Sequence, residues 1–332
     1  MKFLHALAFL MCMAILVGGG GGAWGIWTWQ ANGPLTADTM VTIEHGSGVG
    51  GIARALTEAH VIDHPWLFRV GVRVTGQQAA LKAGEYKFSP GVSLGSVVAK
   101  LARGDVFRRV FTVAEGLTSW QVQEILDHTE GLTGELKETP PEGSLLPQTY
   151  QYMAGDTKQT AVLDMQKAMN DTIDLLWSGR DADIPISTPQ EAVTLASIVE
   201  KETGVATERA RIAGLFENRL KAGVALQSDP TVIYALTKGH IQTGGMGPLG
   251  RRLLAKDLEI DSPYNTYKNP GLPPGPIANP GKDALVAVLH PEHNDYMYFV
   301  ADGTGGHVFA KTLEEHNENV AKWRKIRRDA ER

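Results

Sequence analysis

The spacing of apolar positions in the first part of the chain predicts a small unit of mixed helix and strand. The stretch VTIEHGSGVGGIARALTEAHVI indicates a strand, a turn and a helix, in which Ile52, Leu56 and Ala59 recur at helical spacing. HPWLFRVGVRV predicts a second helix, LKAGEYKFSPG a strand, and SLGSVVAKLARG a third helix with apolar residues at i, i+3, i+4 and i+7. We therefore expect an α+β module over residues 38–105.

The pattern after this module predicts a larger α+β domain over residues 106–330. VFRRVFTVAEG alternates like a strand before a helix that starts near Thr118 or Ser119, and ETPPEGSLLPQTYQY has the Pro and Gly density of an ordered loop. The strand YMYFVAD, a glycine turn and a helix with a T-x-x-E box at Thr312 and Glu315 end the domain.

The middle of the larger domain is predicted to contain two helices and a long loop region. The helices cover residues 189–203 and 207–222. The loop-rich region runs from about residue 226 to residue 280 and is interrupted by a short basic helix at GRRLLAKDL. We expect the loops to carry the ligand-binding residues, since loops on a rigid scaffold commonly do so.

The helix over residues 189–203, in TPQEAVTLASIVEKETG, has the clearest boundaries in the sequence. Thr188 and Glu191 match a T-x-x-E capping box, and Pro189 suits the first helical position. Gly204 is suited to a left-handed residue just after the helix. This helix therefore fixes the direction of every side chain along it.

Two carboxylates near the end of this helix point in different directions. At about 100° per residue, Glu202 falls on the face of Leu195, Ile198 and Val199, whereas Glu200 points outward or toward a neighbouring element. A carboxylate on a buried face must be paired or protonated, and a carboxyl protonated near neutral pH is what a general acid needs. Glu202 is therefore a candidate general acid or a partner of an Arg in a structural ion pair, with Glu200 as a candidate second carboxylate.

The N-terminus is the clearest compositional feature. There is no Asp, Glu, Lys or Arg between Lys2 and Asp38, and FLHALAFLMCMAILVGGGGGAWGIWTW is about as long as the ~20 residues that cross a bilayer. This predicts a single-pass transmembrane anchor over residues 1–30, with the N-terminus in the cytoplasm, three tryptophans at the outer interface and the rest of the chain outside. The alternative is a cleaved signal peptide with Gly21 and Ala23 before the cut.

Composition excludes several classes of protein. The net charge of −5 argues against nucleic acid as a partner. The single cysteine, Cys12, excludes an intrachain disulfide and a cysteine-based metal cluster. HPEH, at His290 to His293, places two histidines in a Pro-containing turn without a third ligand. We therefore expect no metal and no cofactor.

The loops of the larger domain carry polar and aromatic side chains of the kind that bind sugars. Aromatic faces stack on the C–H faces of sugar rings, while amides and carboxylates bind their hydroxyls. Each residue alone is typical of a turn, but together they predict a cleft for carbohydrate. The substrate-binding candidates are Gln227, Asp229, Tyr264, Asn265 and Tyr267.

Four stretches resemble the endolytic murein transglycosylases, also called YceG-like proteins. They are LASIVEKET, LQSDPTVIYAL, SPYNTYKNPGLPPGPIANPG and YMYFVADGTGGHVFAKTLEEHN, and the resemblance runs from about residue 38 to residue 318. It implies that the first module is a LysM-like peptidoglycan-binding domain and that residues 106–330 form the catalytic domain. Gln148 stands where the family often has an acidic residue, and the loop TKGHIQTGGMGPLGRR is longer than usual.

The resemblance also implies an activity in cell wall biogenesis. The family cleaves peptidoglycan between MurNAc and GlcNAc and leaves a 1,6-anhydroMurNAc end, because the C6 hydroxyl of the sugar attacks where a hydrolase would use water. One Glu can then act as general acid and afterwards as base. The family's catalytic Glu lies in the V-E-K-E motif, and the helical-face argument selects Glu202 within it. The implied partners are glycan strands, the plasma membrane and peptidoglycan synthases.

Two alternatives remain open from the sequence. One alternative to the transglycosylase is a non-catalytic peptidoglycan-binding scaffold that recruits synthases, and the other is a lysozyme-like hydrolase that uses water. A Glu on the buried helix face disfavours the scaffold. Analysis of the products separates the transglycosylase from the hydrolase.

Overall fold

Two units make up the chain in the computed structural model, which describes residues 2–241 and 248–330. The first unit comprises Met1–Arg109 and Gln151–Ala154, and the second comprises Val110–Tyr150 and Gly155–Arg332. Both contain helices and strands. The mixed fold class predicted from the sequence is therefore correct for the regions that follow the N-terminal segment.

The first unit has the order of elements that its apolar spacing predicts. Its elements are α1 (Lys2–Gln30), β1 (Thr39–Ile43), α2 (Val49–Glu58), α3 (Pro65–Val74), β2 (Gly84–Phe88) and α4 (Leu94–Arg103). β1 and β2 pair antiparallel, with Val41 opposite Tyr86. The core holds the buried faces of all three short helices, including Leu56, Phe68 and Leu101. The helical spacing in the sequence thus marks the residues that face inward.

The N-terminal segment forms the helix α1, but the predicted transmembrane anchor is wrong. Among the helices of residues 2–241 and 248–330, none is both long enough and apolar enough to cross a bilayer. The residues Gly18–Gly22 lie within α1 and have no apolar side chains to offer a bilayer. The predicted single-pass placement in the plasma membrane is corrected with it.

Two of the three tryptophans of α1, Trp24 and Trp29, pack within the first unit instead of forming the predicted interfacial belt, whereas Trp27 is exposed. The ring of Trp29 lies where a Cβ atom would be on Gly71 or Gly95, so these two glycines make room for it. Trp24 stacks on Trp66, with ring centroids 5.9 Å apart. The end of α1 is therefore part of the packing of this unit.

The second unit is mainly helical. Its elements, from the boundary strand onward, are β3 (Arg109–Thr112), α5 (Ser119–His128), β4 (Thr149–Tyr152), α6 (Lys158–Ser178), α7 (Pro189–Glu202), α8 (Arg209–Lys221), α9 (Asp229–Thr237), α10 (Lys282–Leu289), β5 (Tyr298–Ala301), β6 (His307–Ala310) and α11 (Leu313–Ala330). Short 3-10 turns cover Ala206–Glu208 and Ala255–Glu259. The second of these replaces the basic helix predicted at GRRLLAKDL. Part of the long loop before it, residues 242–247, lies outside the described residues.

The helix α7 is the centre of the second unit. It packs against α6, α8, α9 and α10, and its residues from Ala192 to Val199 are all buried. The capping box predicted from the sequence is present, since Glu191 N donates to Thr188 Oγ1 at 3.2 Å and Thr188 N donates to the Glu191 carboxylate at 3.2 Å. A helix capped and buried in this way is a rigid support for the residues at its end.

The C-terminal end of α7 differs from the prediction. Thr203 is extended, with φ −142° and ψ 133°, and Gly204 is not left-handed. The Thr203 hydroxyl accepts a hydrogen bond from Val205 N at 3.0 Å, which turns the chain toward α8. The side-chain hydrogen bond takes the place of the glycine-based ending, and α7 therefore stops at Glu202.

Candidate active site

A cleft of about 400 Å³ opens at the C-terminal end of α7. The residues that line it come from the ends of α7 and α8, the loop before α9, the long loop that follows, β5 and α11. They are Glu202, Arg219, Leu226, Gln227, Asp229, Tyr267, Tyr298, Phe299, Leu313 and His316. Three of the five predicted substrate-binding residues, Gln227, Asp229 and Tyr267, are among them.

Glu202 is the carboxyl group at the end of α7 that lines this cleft. Burial is the largest influence on it and, together with the charge of Asp229, raises the pKa of Glu202 to about 7. The Ser228 hydroxyl donates to Glu202 Oε1 at 2.5 Å and opposes that rise, as do the nearby side chains of His307 and Arg219. A substantial fraction of Glu202 is therefore protonated at neutral pH, although the group is also supplied with donors that stabilise its anion.

Ser228 reaches Glu202 because of its place at the start of α9. It is the N-cap residue of that helix, but its side chain makes no capping bond. Its backbone N–H donates to Thr266 Oγ1 at 3.0 Å, and Thr266 Oγ1 lies 2.8 Å from Thr231 Oγ1. This buried network joins the loop of Thr266 to α9 and leaves the Ser228 hydroxyl free to face α7.

Arg219 fixes the loop that carries Gln227. Its buried guanidinium donates to the carbonyl oxygens of Met297 at 2.7 Å, Leu226 at 2.9 Å and Ala225 at 3.0 Å, and to Gln227 Oε1 at 3.3 Å. The planar, always charged guanidinium suits this use, because it presents several donors in fixed directions. Arg219 therefore holds one wall of the cleft in shape.

Gln227 has a left-handed backbone, with φ +54°. This conformation is costly for a residue with a side chain, and such residues often occur at functional sites. Its N–H donates to the Thr266 carbonyl oxygen at 3.1 Å, which helps to hold the turn. The strained turn presents the exposed side chain of Gln227 to the cleft.

Tyr267 and Asp229 form a pair in the cleft. The hydroxyl of Tyr267 donates to Asp229 Oδ1 at 2.6 Å. Burial, followed by this hydrogen bond to a carboxylate, raises the pKa of Tyr267, so the phenol keeps its proton. Asp229 is therefore oriented by a neutral donor.

The other two predicted binding residues, Asn265 and Tyr264, are not among the residues that line the cleft. Asn265 is fully buried, and its amide donates to the carbonyl oxygens of Leu258 at 2.8 Å and Ile260 at 2.9 Å. Asn265 Oδ1 accepts from the Tyr267 N–H at 3.0 Å. Tyr264 packs on Tyr234, with ring centroids 4.9 Å apart. Asn265 thus supports Tyr267 from below.

Glu200 lies on another side of α7, away from the cleft. Its side chain is only 6% exposed, and it accepts a hydrogen bond from Gly281 N at 2.9 Å and pairs with Arg209 at 3.5 Å. Arg209 also lies 3.5 Å from Glu115 and 3.6 Å from Asp283. Glu200 therefore anchors α7 to the start of α10 and points toward a neighbouring element, as one of the two sequence alternatives has it.

A second layer of polar groups lies behind Glu202. His307 donates through its backbone N–H to Glu208 Oε1 at 2.9 Å, and its ring Nδ1 lies 2.8 Å from Glu208 Oε2. The Thr203 hydroxyl donates to the same carboxylate at 3.3 Å. The pKa of Glu208 is lowered, because the bonds from His307 outweigh burial. This layer ties the end of α7 to β6.

Several residues of the site were not found from the sequence. Ser228 stands inside LQSDPTVIYAL, and only its unused capping position distinguishes it from an ordinary turn serine. Arg219 resembles a surface cation of an amphipathic helix until the fold buries it. His316 and Tyr298 stack with ring centroids 5.2 Å apart, and no local pattern predicts that contact.

The described residues show no metal centre. Within residues 2–241 and 248–330, no group of three or more His, Cys, Asp or Glu residues is arranged to hold a metal ion. His290 Nδ1 lies 2.8 Å from Asp181 Oδ1, so one histidine of HPEH belongs to a polar pair.

Comparison with known proteins identifies the family. The chain matches the model of the YceG-like family over residues 41–322, and it belongs to that family. An endolytic murein transglycosylase of Bacillus subtilis (strain 168) is 35% identical over 326 residues, which is 87% of each chain. An endolytic murein transglycosylase of Streptococcus pneumoniae (strain ATCC BAA-255 / R6) is 30% identical, over 95% of this chain and 64% of that protein.

A solved structure gives the same family. The crystal structure of a yceG-like protein from Listeria monocytogenes matches with a TM-score of 0.52 and 32% identity, over 86% of this chain and 99% of that one. The family predicted from four sequence stretches is thereby confirmed. The residues that carry the resemblance include the V-E-K-E end of α7 and the loops around the cleft.

Proposed function

We propose that this chain is an endolytic murein transglycosylase that cleaves glycan strands between MurNAc and GlcNAc and leaves a 1,6-anhydroMurNAc end. The coarser class, a lytic transglycosylase acting on peptidoglycan, rests on relatives that are 30% and 35% identical over most of the chain. The finer mechanism rests on one observation. A half-buried carboxyl whose pKa is raised to about 7, Glu202, lines a cleft large enough for sugar.

In the first step Glu202 acts as general acid. Its carboxyl donates a proton to the glycosidic oxygen, the bond from that oxygen to C1 of MurNAc breaks, and positive charge develops on the ring. Oε1 already accepts the Ser228 hydrogen bond, so the acidic proton is carried by Oε2. Ser228 therefore assigns the two oxygens of Glu202 different tasks.

In the second step Glu202 acts as base. The carboxylate takes the proton of the C6 hydroxyl while that oxygen bonds to C1, which closes the 1,6-anhydro ring and restores the acid. No water is consumed. One group can do both because burial favours the acid, while Ser228, His307 and Arg219 favour the anion, and the balance lies near neutral pH.

The remaining residues of the cleft hold the sugar. Gln227, Asp229 and Tyr267 present an amide, a carboxylate and an aromatic ring, which match the hydroxyls and the C–H faces of a glycan. Tyr264 and Asn265 act from behind by keeping the loop of Tyr267 in place. The first unit is proposed to bind peptidoglycan separately, and synthase partners stay a prediction.

A lysozyme-like hydrolase is the second candidate, because one observation favours it. Asp229 places a second carboxylate in the cleft of Glu202, and hydrolases use a pair of carboxylates with water. The two candidates differ in product. The transglycosylase leaves anhydro ends, whereas the hydrolase leaves reducing ends.

The test is mass spectrometry of the strands released from purified sacculi by the full chain. We expect anhydroMurNAc ends and no incorporation of ¹⁸O when the digestion is run in H₂¹⁸O. Reducing ends that carry ¹⁸O would show the hydrolase. Capture of sacculi without any new ends would show the non-catalytic scaffold.

A further inference from the structure

Asp229 lies near Glu202, because the residue before it in the chain, Ser228, is hydrogen-bonded to Glu202. Ser228 donates directly to Glu202 at 2.5 Å, and Asp229 is the next residue in the chain. The charge of Asp229 also acts to raise the pKa of Glu202. Both line the same cleft.

The partner of Asp229 leaves its charge intact. Tyr267 donates to it at 2.6 Å, and Tyr267 in turn is held by Asn265 through its backbone N–H. Within residues 2–241 and 248–330, no Lys, Arg or His forms an ion pair with Asp229. The carboxylate is therefore oriented but not neutralised, and it is exposed in the cleft.

We propose that Asp229, held by Tyr267, supplies the negative charge that stabilises the positively charged sugar ring in the transition state. The inference rests on the proposed function, since it needs a glycosidic bond to break in this cleft. Glu202 moves the protons, and Asp229 keeps its charge throughout and neither gives nor takes a proton. A fixed charge of this kind gains strength when the substrate displaces water from the cleft.

A purely structural role for Asp229 makes different predictions. Asp229 is the first residue of α9, where a carboxylate also stabilises the helix through its dipole. In that case its loss would lower thermal stability without changing the chemical step. Measuring kcat, KM, the pH profile and thermal unfolding on the same variants distinguishes the electrostatic role of Asp229 from its structural role.

The experiment compares Asp229→Asn, Tyr267→Phe and the double variant on soluble glycan strands. Asp229→Asn should lower kcat by about 10²-fold or more at acidic pH, with little change in KM. It should also move the alkaline limb of the rate profile to lower pH, because the charge that raises the pKa of Glu202 is lost. Tyr267→Phe should lower kcat less, and the double variant should be no slower than Asp229→Asn alone.

The matched control is Asp171→Asn, which removes the same charge from an exposed position on α6. It should leave kcat and the pH profile unchanged. An Asp229→Asn protein that has normal kcat and a raised KM, or an unmoved alkaline limb, would overturn the inference. If Asp229→Asn fails to fold, a normal kcat in Tyr267→Phe would overturn it equally.

The failure of this inference is distinct from failure of the proposed function. Anhydro ends from the unaltered chain, together with an Asp229→Asn variant of normal kcat, would remove only the role of Asp229. Reducing ends or no ends from the unaltered chain would remove the proposed function itself.

Discussion

The hydroxyl of Ser228 donates a hydrogen bond to Glu202 Oε1 at 2.5 Å, although Ser228 is the N-cap residue of α9. A serine at that position usually caps its own helix, and the loss of such a cap costs about 1 kcal/mol. Here the side chain is directed at the end of α7 instead. The capping energy is given up to orient the candidate general acid.

Replacing Ser228 tests this use of the hydroxyl. In Ser228→Ala the pKa of Glu202 should rise further, because the bond that lowers it is lost. The alkaline limb of the rate profile should move to higher pH, and kcat should fall about 10- to 100-fold, as expected for a hydrogen bond to a charged group.

The control for Ser228 is a serine that caps its own helix. Ser93 is the N-cap of α4 and accepts from Ser96 N, so Ser93→Ala should cost stability and leave the pH profile in place. A Ser228→Ala protein with an unmoved limb would show that the hydrogen bond does not act on the titration of Glu202.

Glu217 predicts a pH dependence of stability that is separate from catalysis. It lies on α8, is 2% exposed and has an Oε1 atom without a hydrogen-bond partner among the described residues. Burial raises its pKa from 4.5 to about 8. The folded protein therefore favours the protonated form of Glu217. The stability that this protonated group contributes is fully present below pH 4.5 and is lost as the pH rises toward 8.

Glu217→Gln should remove this dependence, because the amide keeps the volume and cannot ionise. The difference in unfolding free energy between the variant and the unaltered chain should be roughly 2–4 kcal/mol more favourable to the variant at pH 8 than at pH 5. Urea unfolding at the two pH values measures it. Glu318→Gln, at an exposed position on α11, should show no such difference. Equal effects in the two variants would contradict the assignment.

Variants of Asn265 and Tyr264 distinguish residues that support the cleft from residues that contact the substrate. Asn265→Ala leaves two carbonyl oxygens and the Tyr267 N–H without their partner, so it should lower the unfolding free energy by about 1–3 kcal/mol for each buried group left unpaired. Turnover should fall with it, since Tyr267 loses its support. Thermal unfolding and kcat on the same preparation measure both.

Tyr264→Phe keeps the ring that packs on Tyr234 and removes only the hydroxyl. We expect kcat/KM to change by less than about 3-fold, because the loss of a non-contacting hydroxyl at such a site costs under 1 kcal/mol. A fall of 10-fold or more with normal stability would show that Tyr264 contacts the sugar, as the sequence predicts.

The sequence predicts what is decided locally. The capping box of α7 needs only Thr188, Glu191 and the residues between them, and the structure contains it. The helical spacing of the first unit depends on short segments in the same way. The direction of Glu202 also follows from one helix, because its angle to Leu195 and Ile198 is fixed by the helix itself.

What the sequence does not predict depends on distant parts of the chain. Glu200 faces away from the cleft but is still buried, because α10 and Arg209 cover that side of α7. The sequence predicts a loop-rich region over the residues that form the short helix α9. Arg219 becomes a site residue only when four acceptors from two chain segments surround it.

The N-terminal prediction failed for a different reason. The absence of charge between Lys2 and Asp38 predicts a membrane span, but no helix among the described residues is long and apolar enough to form one. Trp24 and Trp29, which the sequence places at an interface, pack within the first unit, where Gly71 and Gly95 make room for Trp29. Uncharged composition alone does not distinguish these two uses of aromatic residues.

The most direct test of the account compares Glu202→Gln with Glu200→Gln on purified sacculi. Each variant removes one carboxylate from α7 and keeps its volume, so both should remain folded. Glu202→Gln should lower the formation of anhydroMurNAc ends by about 10²–10⁴-fold, because the amide has no acidic proton to give. Glu200→Gln should keep most of the activity and lose stability instead, since it weakens the contact with Arg209 and α10. Normal formation of anhydro ends by Glu202→Gln, with their loss in a folded Glu200→Gln, would contradict the central claim that Glu202 is the catalytic acid.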